Sequence, residues 1–382
     1  MMTSNNNILI IAGEVSGDLI GASLLKELRA VQPNINIFGI GGDKMIEEGM
    51  NISFHINKLS FLGFVEVVKH LSFIKKVQRE ILKLVKMKNI STAVLIDYPG
   101  FNLSIAKKLK ALGLKIIYYI SPQIWAWGSS RIEKIRSTID KMLVIFPFEE
   151  TLYKNNNVPV EFVGHPMLER IAAHKYLSKT ELIKKFKLDD QKEILLLMPG
   201  SRKHEVEKIF PAEIEAAAKL SDEFNLQVVV ACAQNMNAEI FRNLSVLKNF
   251  TLVTENIFDF MNHSKFGIIK SGTATLEAGL HQLPMIIVYK TVWITYLIGK
   301  NLVKLESIGL VNILFGEKII PELIQSEVNA DTIYERSKTI LTDKTLYQNI
   351  KDKLSGLRVK LGTEGASKRA AKIILNTLNE TA

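Results

Sequence analysis

The amino-acid sequence predicts an α/β protein built from two successive doubly wound, Rossmann-like domains. Three observations carry that expectation. Short apolar runs alternate with longer Lys- and Leu-rich stretches of helical spacing, the pattern of parallel strands covered by helices on both faces. The alternation comes as two series with a break between them, and 382 residues is a length that fits about two domains. Several runs also end at small-residue turns that lead directly into a helix.

The first series reads NILIIAG, INIFGIGG, TAVLIDY, KIIYYIS, KMLVIF and VEFVGH, with helical stretches such as LIGASLLKELRAV and FNLSIAKKLKALG between them. The break falls between Gly164 and Leu177: a strand ends at Gly164–His165–Pro166, and a helical segment starts after Ser178. A fresh sheet begins at Glu193 and continues through EILLLMPG, LQVVVACA, FTLVTE, FGIIKSG and MIIVYK. The last stretch, Asp343 to Ala382, is helical in pattern and carries no strand signal. The expected organisation is therefore a domain over 1–170, a second over 171–342, and a helical segment over 343–382 with the first domain as a candidate docking surface.

Hydrophobic residues make up 47% of the chain, enough for two substantial cores. The net charge of +10, from 49 basic and 39 acidic residues, favours anionic partners such as nucleotides, phosphorylated lipids or an anionic membrane face. A solvated Lys surface explains the same excess without any partner. The basic residues are spread along helices and no nucleic-acid-binding motif occurs, so nucleic acid is not expected. The single cysteine, Cys232, excludes a disulfide within the chain and fits a reducing compartment and a small core residue. The N-terminus MMTSNNN lacks a signal-peptide pattern, and no run of about 18 uncharged apolar residues is present, so a cytoplasmic protein, soluble or peripheral, is expected.

Six segments carry candidate chemistry. The loop 12-AGEVSGD-18 joins the first strand to a helix and is neither a Walker A loop nor GxGxxG; it places Glu14, Ser16, Gly17 and Asp18 at the strand's C-terminal edge, where open α/β sheets bind ligands. Asp18 there either caps the helix or meets a ligand. Asp97 ends the strand TAVLID, where desolvation would raise its pKa and suit it to act as a general base; the alternative is an Asx-turn before Pro99. The loop SPQIWAWG sets Trp125 and Trp127 two residues apart, as a cleft wall or as interface packing. In LLMPGSRKHEVE, Ser201 and Arg202 stand at a helix start, where an arginine can hold a diphosphate. In GIIKSGTATLEAGL, Ser271, Gly272 and Thr273 allow close approach of an anion to a helix N-terminus, and Glu277 one turn on suits a ribose hydroxyl. Asn312 offers an amide to base or phosphate.

No HxxxH, HExxH or D-x-D spacing occurs, so no metal is expected, and no other cofactor is among the expectations. The stretch from Leu59 to Lys88 is both apolar and basic. Phe64, Val65, Val68, Leu71 and Ile74 form a candidate face for a membrane or an acyl chain, or else an ordinary core face.

Taken in order, AGEVSGD, GIGGDKM, LGFVEV, LIDYPGFN, SPQIWAWG, FPFEE, FVGHPM, MPGSRKHEVE, SGTATLEAGLHQLPMIIVYK and GLVNIL resemble the lipid-A-disaccharide synthase family. They span residue 8 to about residue 316, and Gly128 departs from the basic residue that some relatives carry there. The resemblance implies a GT-B fold with an interdomain cleft and an inverting, metal-independent transfer. Its donor would be UDP-2,3-diacylglucosamine and its acceptor 2,3-diacylglucosamine 1-phosphate, giving a β-1,6-linked disaccharide phosphate and UDP. It further implies Asp97 as base, Arg202 with Ser201, Ser271, Gly272, Thr273, Glu277 and Asn312 around UDP, and a peripheral place on the inner face of the inner membrane. Oligomers are compatible with it. Two rival readings stay open. One is another GT-B enzyme, a UDP-sugar epimerase or a transferase with a different lipid-linked acceptor. The other is a non-catalytic module binding UDP and membrane.

Overall fold

The computed structural model describes residues 6–59, 71–125, 131–233, 236–291 and 307–379. The chain forms two compact units: Met1–Glu169 with Leu361–Ala382, and Arg170–Lys360.

The first unit holds β1 (Asn7–Ala12), β2 (Asn36–Gly41), β3 (Asn51–His55), β4 (Thr92–Ile96), β5 (Lys115–Tyr119), β6 (Lys141–Val144) and β7 (Val160–Phe162). They make one seven-stranded parallel sheet in the order β3-β2-β1-β4-β5-β6-β7. Every residue of TAVLI is buried, as helices on both faces require. The order reverses between β1 and β4, which puts the turns after Ala12 and Ile96 side by side at the topological switch point.

The second unit holds β8 (Glu193–Met198), β9 (Leu226–Ala231), β10 (Thr251–Val253), β11 (Phe266–Lys270), β12 (Met285–Tyr289) and β13 (Glu322–Ile324). Its parallel sheet runs β10-β9-β8-β11-β12-β13, with its switch point between β8 and β11.

The C-terminal stretch is divided, where the sequence suggested one segment over 343–382. Lys344–Ser355 and Leu357–Lys360 stay with the second unit, because Leu354 and Leu357 pack where Gly279 leaves room: a Cβ on Gly279 would lie 2.8 Å from Leu357. The helix Ala366–Asn379 belongs to the first unit and packs on the helix Val15–Val31. Ser367 donates through its backbone N–H (2.8 Å) and hydroxyl (2.7 Å) to Glu169, and Arg369 Nε donates to the Val163 carbonyl at 2.8 Å.

Among the described residues no helix is long and apolar enough to cross a membrane. Of the candidate lipid-contact residues, Phe64, Val65 and Val68 lie outside the described residues. In the helix Leu71–Met87, Leu71 is exposed, whereas Ile74 packs against the core beside Val77 and Ile81; for Ile74 the core-face alternative applies.

Glu213, inside the helix Lys203–Phe224, is fully buried, and neither carboxylate oxygen has a partner among the described residues. Burial pushes its carboxyl well above the ordinary range, so the native state holds it neutral. Such a group favours the native state below its unfolded pKa of about 4.3, and that contribution is lost as pH rises above it. Glu213→Met is therefore expected to stabilise the second unit by about 1–3 kcal/mol. The gain should be larger at pH 8 than at pH 5 in denaturant titrations; a destabilised variant would contradict the account.

Candidate active site

In the first unit the site is built on the switch point. Asp97 follows β4 with φ 46°, and Tyr98 follows with φ 48°. Two successive non-glycine residues in the left-handed region are strained and must be held. Asn102 Nδ2 donates to the carbonyls of Ile96 (3.1 Å) and Asp97 (2.7 Å), and Tyr118 Oη donates to the Asp97 carbonyl at 2.6 Å. The Tyr98 ring lies against Gly13, where a Cβ would meet the ring at 2.1 Å, so glycine is required beside it. Burial, then the charge of nearby Glu14, pushes the Asp97 carboxyl up to about 6; a hydrogen bond from the Tyr98 backbone opposes the shift. The carboxyl is therefore ionised at neutral pH and basic enough to take a proton from a hydroxyl. Glu14 and Ser16 are exposed at the same edge, and Gly17 is buried against Ala12.

Asp18 has a different task from the ligand contact suggested for it. It is 4% exposed, and its carboxylate accepts from the backbone N–H groups of Gly42 (2.7 Å), Lys44 (3.1 Å) and Met45 (3.1 Å). It thereby caps the short helix Asp43–Glu47 rather than its own.

Trp125 is half-buried. Its indole N–H donates to Glu149 at 3.0 Å, and its ring meets Phe148 edge-on at 5.2 Å. Ser121 also donates to Glu149, at 2.6 Å. Burial raises Glu149 to about 7, against these hydrogen bonds, which favour its charged form. Trp125 thus anchors its loop inside the first unit, which is neither of the two roles suggested for it, while Trp127 lies outside the described residues. Neither Glu149 nor Ser121 was a candidate from the sequence, where FPFEE and SPQIWAWG entered only among the segments that resemble the family.

In the second unit the loops after β8, β9 and β11 enclose a cavity of about 510 Å³ at the switch point. Ser201, Arg202, Ser271, Gly272, Thr273 and Glu277 all line it. Gly272, at φ 154°, caps the helix Thr273–Leu280, and no atom lies within 4 Å of where its Cβ would stand, so the backbone N–H groups there are open to a ligand. Ser271 donates its hydroxyl to the Ile308 carbonyl at 3.1 Å.

Three charged lining residues escaped the sequence reading: Arg170, Glu205 and Lys270. Lys270 Nζ sits 2.9 Å from Glu205 Oε1, and Arg202 Nη1 sits 3.9 Å from the same oxygen. Burial alone would raise Glu205, but the Lys270 hydrogen bond and charge, helped by Arg202 and the Ser201 N–H, hold it below the usual carboxylate range. Glu205 also needs Gly200, where a Cβ would come within 2.7 Å of its Oε2. The signal for Lys270 was its position as the only charge closing the run FGIIK.

Asn312 does not reach this cavity. It is 1% exposed; its Nδ2 donates to Glu322 and the Ile320 carbonyl, both at 2.8 Å, and its Oδ1 accepts from the N–H groups of Ile319 and Ile320 at 3.0 Å. With its amide satisfied, Asn312 organises the loop before β13, not a nucleotide.

Residues 8–377 match the family described as lipid-A-disaccharide synthetase. A lipid-A-disaccharide synthase of Geobacter metallireducens is 37% identical over 379 residues, covering 98% of each chain. Another, from Coxiella burnetii, is 36% identical over 376 residues, covering 98% of this chain and 99% of its own. Among solved structures, the UDP-GlcNAc 2-epimerase from Neisseria meningitidis bound to UDP-GlcNAc superposes with a TM-score of 0.67 at 11% identity, covering 97% of this chain and 100% of that one. At that identity the likeness is one of fold.

Proposed function

The chain belongs to the lipid-A-disaccharide synthase family, and from that premise we propose which residues divide the reaction between the two units. It is a glycosyltransferase of GT-B fold that takes a UDP-sugar donor and a lipid acceptor. In our reading the donor is UDP-2,3-diacylglucosamine, the acceptor is 2,3-diacylglucosamine 1-phosphate, and the product is the β-1,6-linked disaccharide phosphate. Asp97 removes the proton of the attacking acceptor hydroxyl. That oxygen bonds to the anomeric carbon as the bond to UDP breaks, with inversion. The observation that carries this is the Asp97 carboxyl, pushed up to about 6 on a backbone held in a strained turn.

The second unit takes UDP. The open N–H groups at Gly272 and the side chains of Arg202 and Lys270 face the diphosphate, and Glu277 faces the ribose. These groups balance the charge of the leaving UDP, so EDTA is expected to leave the rate unchanged. Inhibition that Mg²⁺ reverses would overturn this part. The exposed Lys75, Lys76, Arg79, Lys83 and Lys86 on the helix Leu71–Met87 support peripheral attachment to the anionic inner face of the inner membrane.

The test is incubation of the purified protein with both substrates. Release of UDP together with disaccharide supports the reading. Epimerised donor without disaccharide, or UDP binding without turnover, overturns it.

A further inference from the structure

We infer that Arg170 is a positioning residue for donor recognition, setting the Glu277 carboxylate to receive ribose hydroxyls in the second-unit cavity. The inference rests on the assignment of that cavity to UDP. Arg170 is the first residue of the second unit and lines the cavity with Glu277 and Phe258. Its Nη1 is 3.5 Å from Glu277 Oε1, and its guanidinium stands 5.5 Å from the centre of the Phe258 ring. The segment behind it is tied down: His174 Nε2 lies 2.9 Å from Asp259, and the Leu177 N–H donates to Asp259 at 2.6 Å. The guanidinium is thus held from below by a ring and from behind by its own chain.

Glu277 needs such a partner. Its side chain is 16% exposed, and among the described residues no group hydrogen-bonds its carboxylate. Burial raises its carboxyl, and Arg170 is the neighbour that pulls it back down. The other charged or titratable groups around it have other partners or lie across the cavity. His281, one turn along, sets Nδ1 2.7 Å from the Glu277 carbonyl, not its carboxylate, and shares Tyr176. Lys270 and Arg202 face Glu205. Asp259 is engaged by His174 and Asn256. Arg170, 3.5 Å away, therefore favours the ionised Glu277 that accepts two hydroxyls over the neutral acid that must donate one.

The experiment measures UDP and 2′-deoxy-UDP affinity of the intact protein by calorimetry between pH 6 and 8, for wild type, R170Q, R170K and E277Q. In the wild type, UDP should outbind 2′-deoxy-UDP, and the variants are read as ratios to the wild type at the same pH, which cancels the titration of the nucleotide's own terminal phosphate. R170Q should lose about tenfold or more in UDP affinity at pH 6 and recover part of it at pH 8, with discrimination between the two nucleotides lost at pH 6. R170K should restore the wild-type profile. A loss in R170Q that is equal at every pH, or no loss, overturns the inference. If E277Q also binds UDP like the wild type, the nucleotide assignment has failed and takes the inference with it. If E277Q is weakened and R170Q is not, only the role of Arg170 has failed.

Discussion

Asp97→Asn is expected to lower turnover by about 10²–10⁴-fold while leaving UDP affinity close to wild type. Asparagine keeps the size of the side chain and tolerates the left-handed backbone at φ 46°, so the strained turn should survive. What it removes is the proton acceptor. Stability should not fall either: a carboxyl whose folded pKa is raised disfavours the native state above its unfolded pKa, and the amide is spared that penalty. The same shift fixes the pH dependence. The base works deprotonated, so the wild-type rate should drop as pH falls through about 6. Glu14→Gln removes the second cause of the shift and should move that acid limb to lower pH. An Asp97→Asn enzyme with more than about a tenth of wild-type turnover would exclude Asp97 as the base.

Arg202→Ala is expected to weaken UDP binding by about 1.5–3 kcal/mol, the range for a hydrogen bond to a charged group. Turnover should fall further, because negative charge on the leaving diphosphate grows in the transition state. The geometry separates this from a folding defect. The Arg202 side chain is 65% exposed and its contact with Glu205 is a loose 3.9 Å, so little native structure depends on it. Lysine should rescue only in part, lacking the planar fork that grips two oxygens. Calorimetry showing unchanged UDP affinity in Arg202→Ala would remove the nucleotide from the second-unit cavity.

Much of the fold was legible because parallel strands buried on both faces must be written as apolar runs, and TAVLID or FGIIK is hard to write any other way. The position of Asp97 followed from the same logic: the first polar residue after such a run stands at the sheet edge. Polar residues one step further were harder. Asp18 and Asn312 each read as a ligand contact in the sequence, yet each closes the backbone of a neighbouring loop, Gly42–Met45 and Ile319–Ile320. Those partners lie 24 and 7 residues away, beyond any local pattern. Arg170 and Lys270 were missed for the opposite reason. A basic residue at the end of a helix or strand reads as solvated, and only the three-dimensional pairing with Glu277 and Glu205 marks it. The division of the C-terminal stretch was hidden in the packing of Leu354 and Leu357 at Gly279.

The chain passes between the units twice, after Glu169 and after Lys360, and this orders events on the ribosome. The second unit is contiguous and can close as soon as Lys360 has emerged. The first unit has all its strands by Phe162, but the surface beside the helix Val15–Val31 stays open until Ala366–Asn379 arrives with Ala370, Ala371, Ile374 and Leu378. A chain cut before Ala366 would therefore have every residue of the second unit but would leave the first unit without the helix that covers Val15–Val31.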